Sequence, residues 1–117
     1  MNFDKFTDRA RGFIQVAQTV AQREDHQKLA PEHMLKALLD DEQGMAGNLI
    51  TKAGGDAREV RAANDAAIAK LPKVTGDAGQ VYIDSQTVKV LDEAEKLATK
   101  AGDSFVPVER ILTALAL

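Results

Sequence analysis

One stretch of this chain is written twice. Sliding the sequence by 77 places (83 − 6 = 77) lays residues 6–40 on residues 83–117 without a gap. Phe6 meets Ile83, Phe13 and Ile14 meet Val90 and Leu91, Ala17 meets Ala94, and Ala21 meets Ala98. Further along, Leu29 meets Val106, Glu32 meets Glu109, Leu35 meets Leu112, and Leu38 meets Leu115. Apolar positions agree while polar positions diverge, as a packing template used twice would require. Helical periodicity alone would align two amphipathic helices. It would not keep a long helix, a loop and a second helix in one register. The proline at the mouth of the second helix slips by one place, Pro31 against Pro107.

Within that frame the elements read as helices. Phe3, Phe6, Ala10, Phe13, Ile14, Ala17, Val20 and Ala21 recur at three- and four-residue spacing, which predicts one long amphipathic helix ending near Glu24. Pro31 suits the first turn of the next helix, with Glu32 near its positive dipole end and Met34, Leu35, Leu38 and Leu39 inward. "MAGNLITKAGG" predicts a short third helix closed by Gly54–Gly55, and Asp56 an N-cap for a fourth. The fourth should turn Val60, Ala63, Ala67, Ile68 and Leu71 inward and stop at Pro72. "PKVTGDAGQVYID" (72–84) reads as a connector with a short extended piece at 81–83. Ser85 should cap a fifth helix carrying Val88, Leu91, Ala94, Leu97 and Ala98, ended by Gly102, and Pro107 should open the last.

The expected fold is all-α: two pseudo-symmetric tandem helical repeats packed together in a single domain, 1–117. The first repeat covers 3–72, the connector 73–84, and the second repeat 85–117. The second copy is expected to be truncated, because nothing in it answers to the third and fourth helices. Aromatics make up 4% of residues, so the core must come from Ala, Leu, Ile and Val, which suits close-packed helices.

The composition also excludes chemistries. There is no cysteine, hence no disulfide, thiolate nucleophile or zinc–cysteine site. The net charge is −3 and bases are interleaved with acids, so no stripe suits a nucleic-acid backbone. The polar N-terminus does not read as a secretory signal, and no apolar run approaches membrane-spanning length. No GxxxxGK[ST] occurs. "AGGDAREV" (53–60) lacks the lysine and preceding strand of a phosphate site and reads as a helix-to-helix turn. His26 and His33 lack the i, i+4 spacing of a helical zinc pair and are expected to be solvated polar residues. Neither a catalytic residue nor a metal site is predicted.

With "PEHMLKALL", the connector "LPKVTGDAG" and "LDEAEKLATKAGDSFVPVERILTAL" in place, the chain resembles the double Clp-N domain that begins the Hsp100 AAA+ chaperones. The connector is most similar to the disaggregase branch. The resemblance runs from Phe3 to Leu117. It implies a non-catalytic, substrate-recognition domain that binds unfolded or aggregated polypeptide clients and passes them to an ATPase ring. ATP and Mg would belong to that ring, with no cofactor in this domain. The parent is implied to be a cytoplasmic homohexamer working with the DnaK system, and the isolated domain a monomer, with no nucleic-acid or membrane partner. The alternative is a docking domain for folded adaptors, as in the ClpA and ClpC branches.

The family residues implicated in client handling fall on Thr7, Asp103 and Glu109. Each also has a plain structural reading: a helix cap for Thr7, a loop residue after Gly102 for Asp103, and a dipole-complementing acid for Glu109. An apolar groove would need walls, and Phe105, Val106 and Val108 cluster beside these residues. Val106 stands where the first copy has Leu29, so it is expected in the core. Phe105 stands against Lys28 and is the expected exposed contact, with Val108 beside it.

Overall fold

The computed structural model describes residues 3–41, 43–73 and 81–116. Phe3–Lys5 form one 3-10 turn, and helix α1 runs Asp8–Arg23. The long helix expected from Phe3 therefore begins later. Thr7 is the cause: its backbone is extended, and its Oγ1 accepts a hydrogen bond from the Ala10 N–H at 3.1 Å. That satisfies a donor which a first helical turn leaves open. Phe6, just ahead of the cap, is buried in a parallel bridge to Val106. Its apolar spacing serves the core without being helical.

A two-residue strand, β1 (Lys28–Leu29), follows α1 and leads into α2 (Pro31–Leu39). It pairs in parallel with β2 (Tyr82–Ile83), the extended piece expected at the end of the connector. Residues 74–80 of that connector lie outside the described residues. Helices α3 (Met45–Lys52) and α4 (Ala57–Ala69) stand where expected, with Asp56 accepting from the Arg58 N–H at 2.9 Å. Helix α5 runs Ser85–Lys100, but its cap is Asp84 and not Ser85. The Asp84 carboxylate accepts from the Gln86 N–H at 3.2 Å. Pro107 sits just outside α6 (Val108–Ala116), where its fixed φ sets the entry without costing a helical hydrogen bond.

The 77-residue offset reappears in the backbone pairing. The Leu29–Ile83 pair and the Phe6–Val106 bridge are mates under that offset. So are their hydrogen bonds, Asp84 N–H to the Leu29 carbonyl (3.1 Å) and Thr7 N–H to the Val106 carbonyl (3.0 Å). Helices α1 and α5 also end alike. His26 N–H reaches the Ala21 carbonyl at 2.8 Å, and Asp103 N–H reaches the Ala98 carbonyl at 2.9 Å. Each closure passes through one left-handed residue, Asp25 (φ 58°) or Gly102 (φ 81°). The architecture is an all-α tandem repeat in which each copy's extended segment pairs with the other copy.

The core lies at the junction of the copies. Ala10, Ile14 and Ala17 of α1 and Met34 and Leu38 of α2 share one buried cluster with Leu91 and Ala94 of α5 and Val108 and Ile111 of α6. Small alanines on α1 and α5 let helices approach closely. Leu35, Leu112 and Leu115 are only half-buried at its edge. Helix α4 differs from expectation: Ile68 and Asn64 are buried, Val60, Ala67 and Leu71 half-buried, and Ala63 exposed. A polar tether replaces the expected stripe. Asn64 Nδ2 donates to the Glu32 carbonyl at 2.9 Å, and Lys36 Nζ lies 3.2 Å from Asp65 Oδ1. No helix among the described residues is long and apolar enough to cross a membrane.

Candidate functional site

The turn through Gly102 sends residues 103–106 back along the last turns of α5. Between them lies a cleft of about 560 Å³, closed on another side by Lys5. Asp92, Glu95, Lys96 and Lys100 of α5 supply a charged wall, and Asp103, Ser104, Phe105 and Val106 the opposite one. Phe105 is 57% exposed. A ring this open costs solvation free energy that a partner's apolar surface would recover.

The five candidate residues separate. Asp103 and Phe105 share the cleft. Asp103 Oδ2 also accepts from Arg110 Nε at 2.9 Å, so its carboxylate is held in an ion pair. Thr7 does not line the cleft. Its backbone is tied to the Val106 carbonyl on the cleft's far side, and its hydroxyl is spent on capping α1. Glu109 is exposed in the first turn of α6, also outside the cleft. Val108 is corrected: it is 2% exposed and belongs to the core cluster, so its side chain is no accessible wall. It starts α6 on the face that packs against α5 and α2, where burial favours an aliphatic side chain. The α5 residues and Arg110 were missed. The repeat offers the signal for Arg110, because 103 and 110 stand over 26 and 33.

Those two positions carry the second correction. His26 and His33 are not solvated: they are 2% and 0% exposed. His26 Nδ1 lies 2.8 Å from His33 Nε2, and His33 Nδ1 accepts the Ala30 N–H at 2.9 Å. An acceptor Nδ1 places the His33 proton on Nε2, which donates to His26 Nδ1. The His26 proton then sits on Nε2, a buried nitrogen with no hydrogen-bond partner. Burial is the main cause that lowers the His33 pKa to about 4, followed by the coulombic influence of the neighbouring His26 ring, with Glu24 opposing. Helical spacing could not reveal this pair, because the two rings come from separate elements joined by a turn. His26 also lines a cavity of about 460 Å³ with Lys28, Pro31, Glu32 and Asp84. These five are the repeat mates of Asp103, Phe105, Val108, Glu109 and Thr7. Among the described residues no group of three or more His, Cys, Asp or Glu is placed to hold a metal ion.

Comparison with known proteins agrees with this architecture. The Clp repeat (R) N-terminal domain family matches residues 5–117. Chaperone protein ClpB of Agrobacterium fabrum is 62% identical over 117 residues, which is all of this chain and 13% of that protein. ClpB of Rhizobium meliloti is 57% identical over the same length, 14% of its own. The chain thus spans a small fraction of these relatives. Among solved structures, the Hsp104 N-terminal domain from Candida albicans superposes with a TM-score of 0.84 at 25% identity, covering 95% of this chain and 73% of that one. The N-terminal domain of the ClpV1 ATPase from E. coli gives 0.84 at 18% identity, covering 97% and 68%, a likeness of fold alone. The doubled helical unit, its crossed pairing and these matches place the chain in the Clp repeat N-terminal domain family.

Proposed function

We propose that this domain recognises unfolded or aggregated polypeptide for a ClpB-type disaggregase and hands it to an ATP-driven ring formed by the rest of the parent protein. The observation that carries the reading is Phe105, a largely exposed aromatic at the mouth of a cleft whose rim is charged with both signs. Apolar contact with the ring supplies most of the free energy, while Lys5, Lys96 and Asp103 orient the client's backbone through polar contacts. Such a site is weakly specific, as befits clients that share only exposed apolar segments. Thr7 and Glu109 contribute to client handling at its margin, Thr7 by fixing the 106 segment and Glu109 from α6. The ring brings the nucleotide and Mg chemistry, the hexamer and the cooperation with DnaK in the cytoplasm. This domain contributes binding and no catalysis.

An NMR titration with an unfolded, casein-like chain tests this. Amide shifts concentrated at Lys5, 96–106 and 109 are expected. Shifts elicited only by a folded adaptor, and not by the unfolded chain, would replace client recognition with adaptor docking.

A further inference from the structure

We propose that His26 and His33 form a proton-sensitive latch at the corner between α1 and α2, one that opens in mild acid while the equivalent corner of the second repeat stays shut. The 77-residue offset places His26 over Asp103 and His33 over Arg110. Both pairs are joined, His26 Nδ1 to His33 Nε2 at 2.8 Å and Asp103 Oδ2 to Arg110 Nε at 2.9 Å. One structural position therefore carries two chemistries. The second corner holds an ion pair, and the first a pair of rings whose hydrogen-bond directions fit the uncharged form.

The bond directions make the histidine version acid-labile. A second proton has two places to go, since both Nε2 atoms already carry one. On His33 Nδ1 it would displace the Ala30 N–H, the donor that this ring satisfies at the head of α2. On His26 Nδ1 it would leave two N–H groups facing each other across 2.8 Å. Either site costs a buried hydrogen bond as well as burying a charge. Proton uptake thus favours an open corner in which the rings reach water. The depressed His33 pKa, about 4 against an ordinary 6.5, has the same sense.

The surroundings give the opened ring somewhere to go. Glu24 and Asp25 end α1, Lys28 lies in β1, Glu32 begins α2, and Asp84 precedes α5. Just past the end of α4 come the apolar Leu71 and Pro72, with Lys70 and Lys73 flanking them. Of these, Glu32, Asp84 and Lys28 line the cavity that His26 also lines. Two carboxylates facing one lysine favour an imidazolium that swings outward. Opening would strain β1 and the residue before it, since the Gln27 and Leu29 carbonyls accept the Tyr82 and Asp84 N–H groups at 2.8 and 3.1 Å. The latch therefore reports proton concentration to the seam between the repeats.

Amide hydrogen exchange on this domain, corrected for intrinsic rates, reads the effect directly. Between pH 7 and 4.5 the Ala30, Tyr82 and Asp84 amides should lose about 50- to 100-fold in protection, as a group titrating at 6.5 when open and near 4 when closed requires. At the second corner the Thr7 and Val106 amides, bonded to the Val106 and Lys5 carbonyls, should hold theirs within about threefold. Equal change at both corners, or none at either, would overturn the latch. The double variant His26→Asp/His33→Arg writes the second corner's chemistry into the first and should abolish the difference. A variant that folds and still loosens in acid counts against the proposal. Should it fail to fold, the comparison of corners within the unmodified chain decides alone. Long-range ¹⁵N–¹H spectra at pH 7 must also show both protons on Nε2, and any other tautomer pair defeats the argument.

Discussion

Phe105 leaves 57% of its surface in water, whereas Val108 leaves 2%. Position along the chain barely separates them, but Phe105 stands in the loop that lines the cleft against α5, whereas Val108 begins α6 inside the core cluster. Phe105→Ala should leave thermal stability within about 1 kcal/mol, since little buried area is lost. It should weaken binding of an unfolded client about tenfold by fluorescence anisotropy, the weight of one aromatic contact. Val108→Ala should do the reverse, costing about 2 kcal/mol in urea denaturation because it opens a void in the core, with client affinity of the folded fraction unchanged. At His33 the sign of the pH dependence follows from its lowered pKa. The unfolded ring binds a proton below about 6.5 and the folded ring only near 4, so stability is full above 6.5 and falls as pH drops through that window. At pH 5 the loss should reach about 2 kcal/mol. Urea curves of the wild type and His33→Gln isolate it from the carboxylates, the variant's slope against pH being the shallower.

The helix ends show what the doubling does to individual elements. Helices α1 and α5 close through the same backbone motif, but one uses Asp25 at φ 58° and the other Gly102 at φ 81°. A residue with a Cβ is strained there and glycine is not. Asp25→Gly should therefore stabilise the fold by about 0.5–1 kcal/mol, and Gly102→Ala should destabilise it by about 1 kcal/mol. Paired thermal melts check both signs. Element type was legible from the sequence wherever apolar spacing was continuous, as in α2 and α5, and the repeat located α6 from α2. Element ends were less legible. Phe3 and Phe6 keep helical spacing with α1, yet Thr7 claims the cap and Phe6 turns to Val106. A two-residue strand such as β1 has no period to detect, and its partner lies beyond the whole first repeat. For the cleft, exposure of Phe105 followed from its clash with Lys28 in the repeat. The inward turn of Val108 did not, because the slipped proline hides the phase in which α6 begins.

At the scale of the whole molecule, the copies do not sit side by side as finished units. Leu29 of the first takes its strand partner from the start of the second, and Val106 of the second takes its partner from the start of the first. Thr87 of α5 adds a buried hydroxyl bond to the Leu29 carbonyl at 2.6 Å. The buried cluster likewise draws on α1, α2, α5 and α6 together. A lone first repeat would expose Leu29, Met34 and Leu38 and lose the acceptors and donors of the crossed pairs, while still meeting the full entropy cost of ordering its helices. Residues 1–72 alone should accordingly show weak helical circular dichroism, bind a hydrophobic dye and unfold without a cooperative transition. Adding residues 73–117 in trans should restore helicity and a single sigmoidal melt, with a midpoint that rises with concentration because folding has become association. A cooperative, dye-silent 1–72 fragment would show instead that one copy suffices, and the crossed pairing would then be an ornament of the fold and not its support.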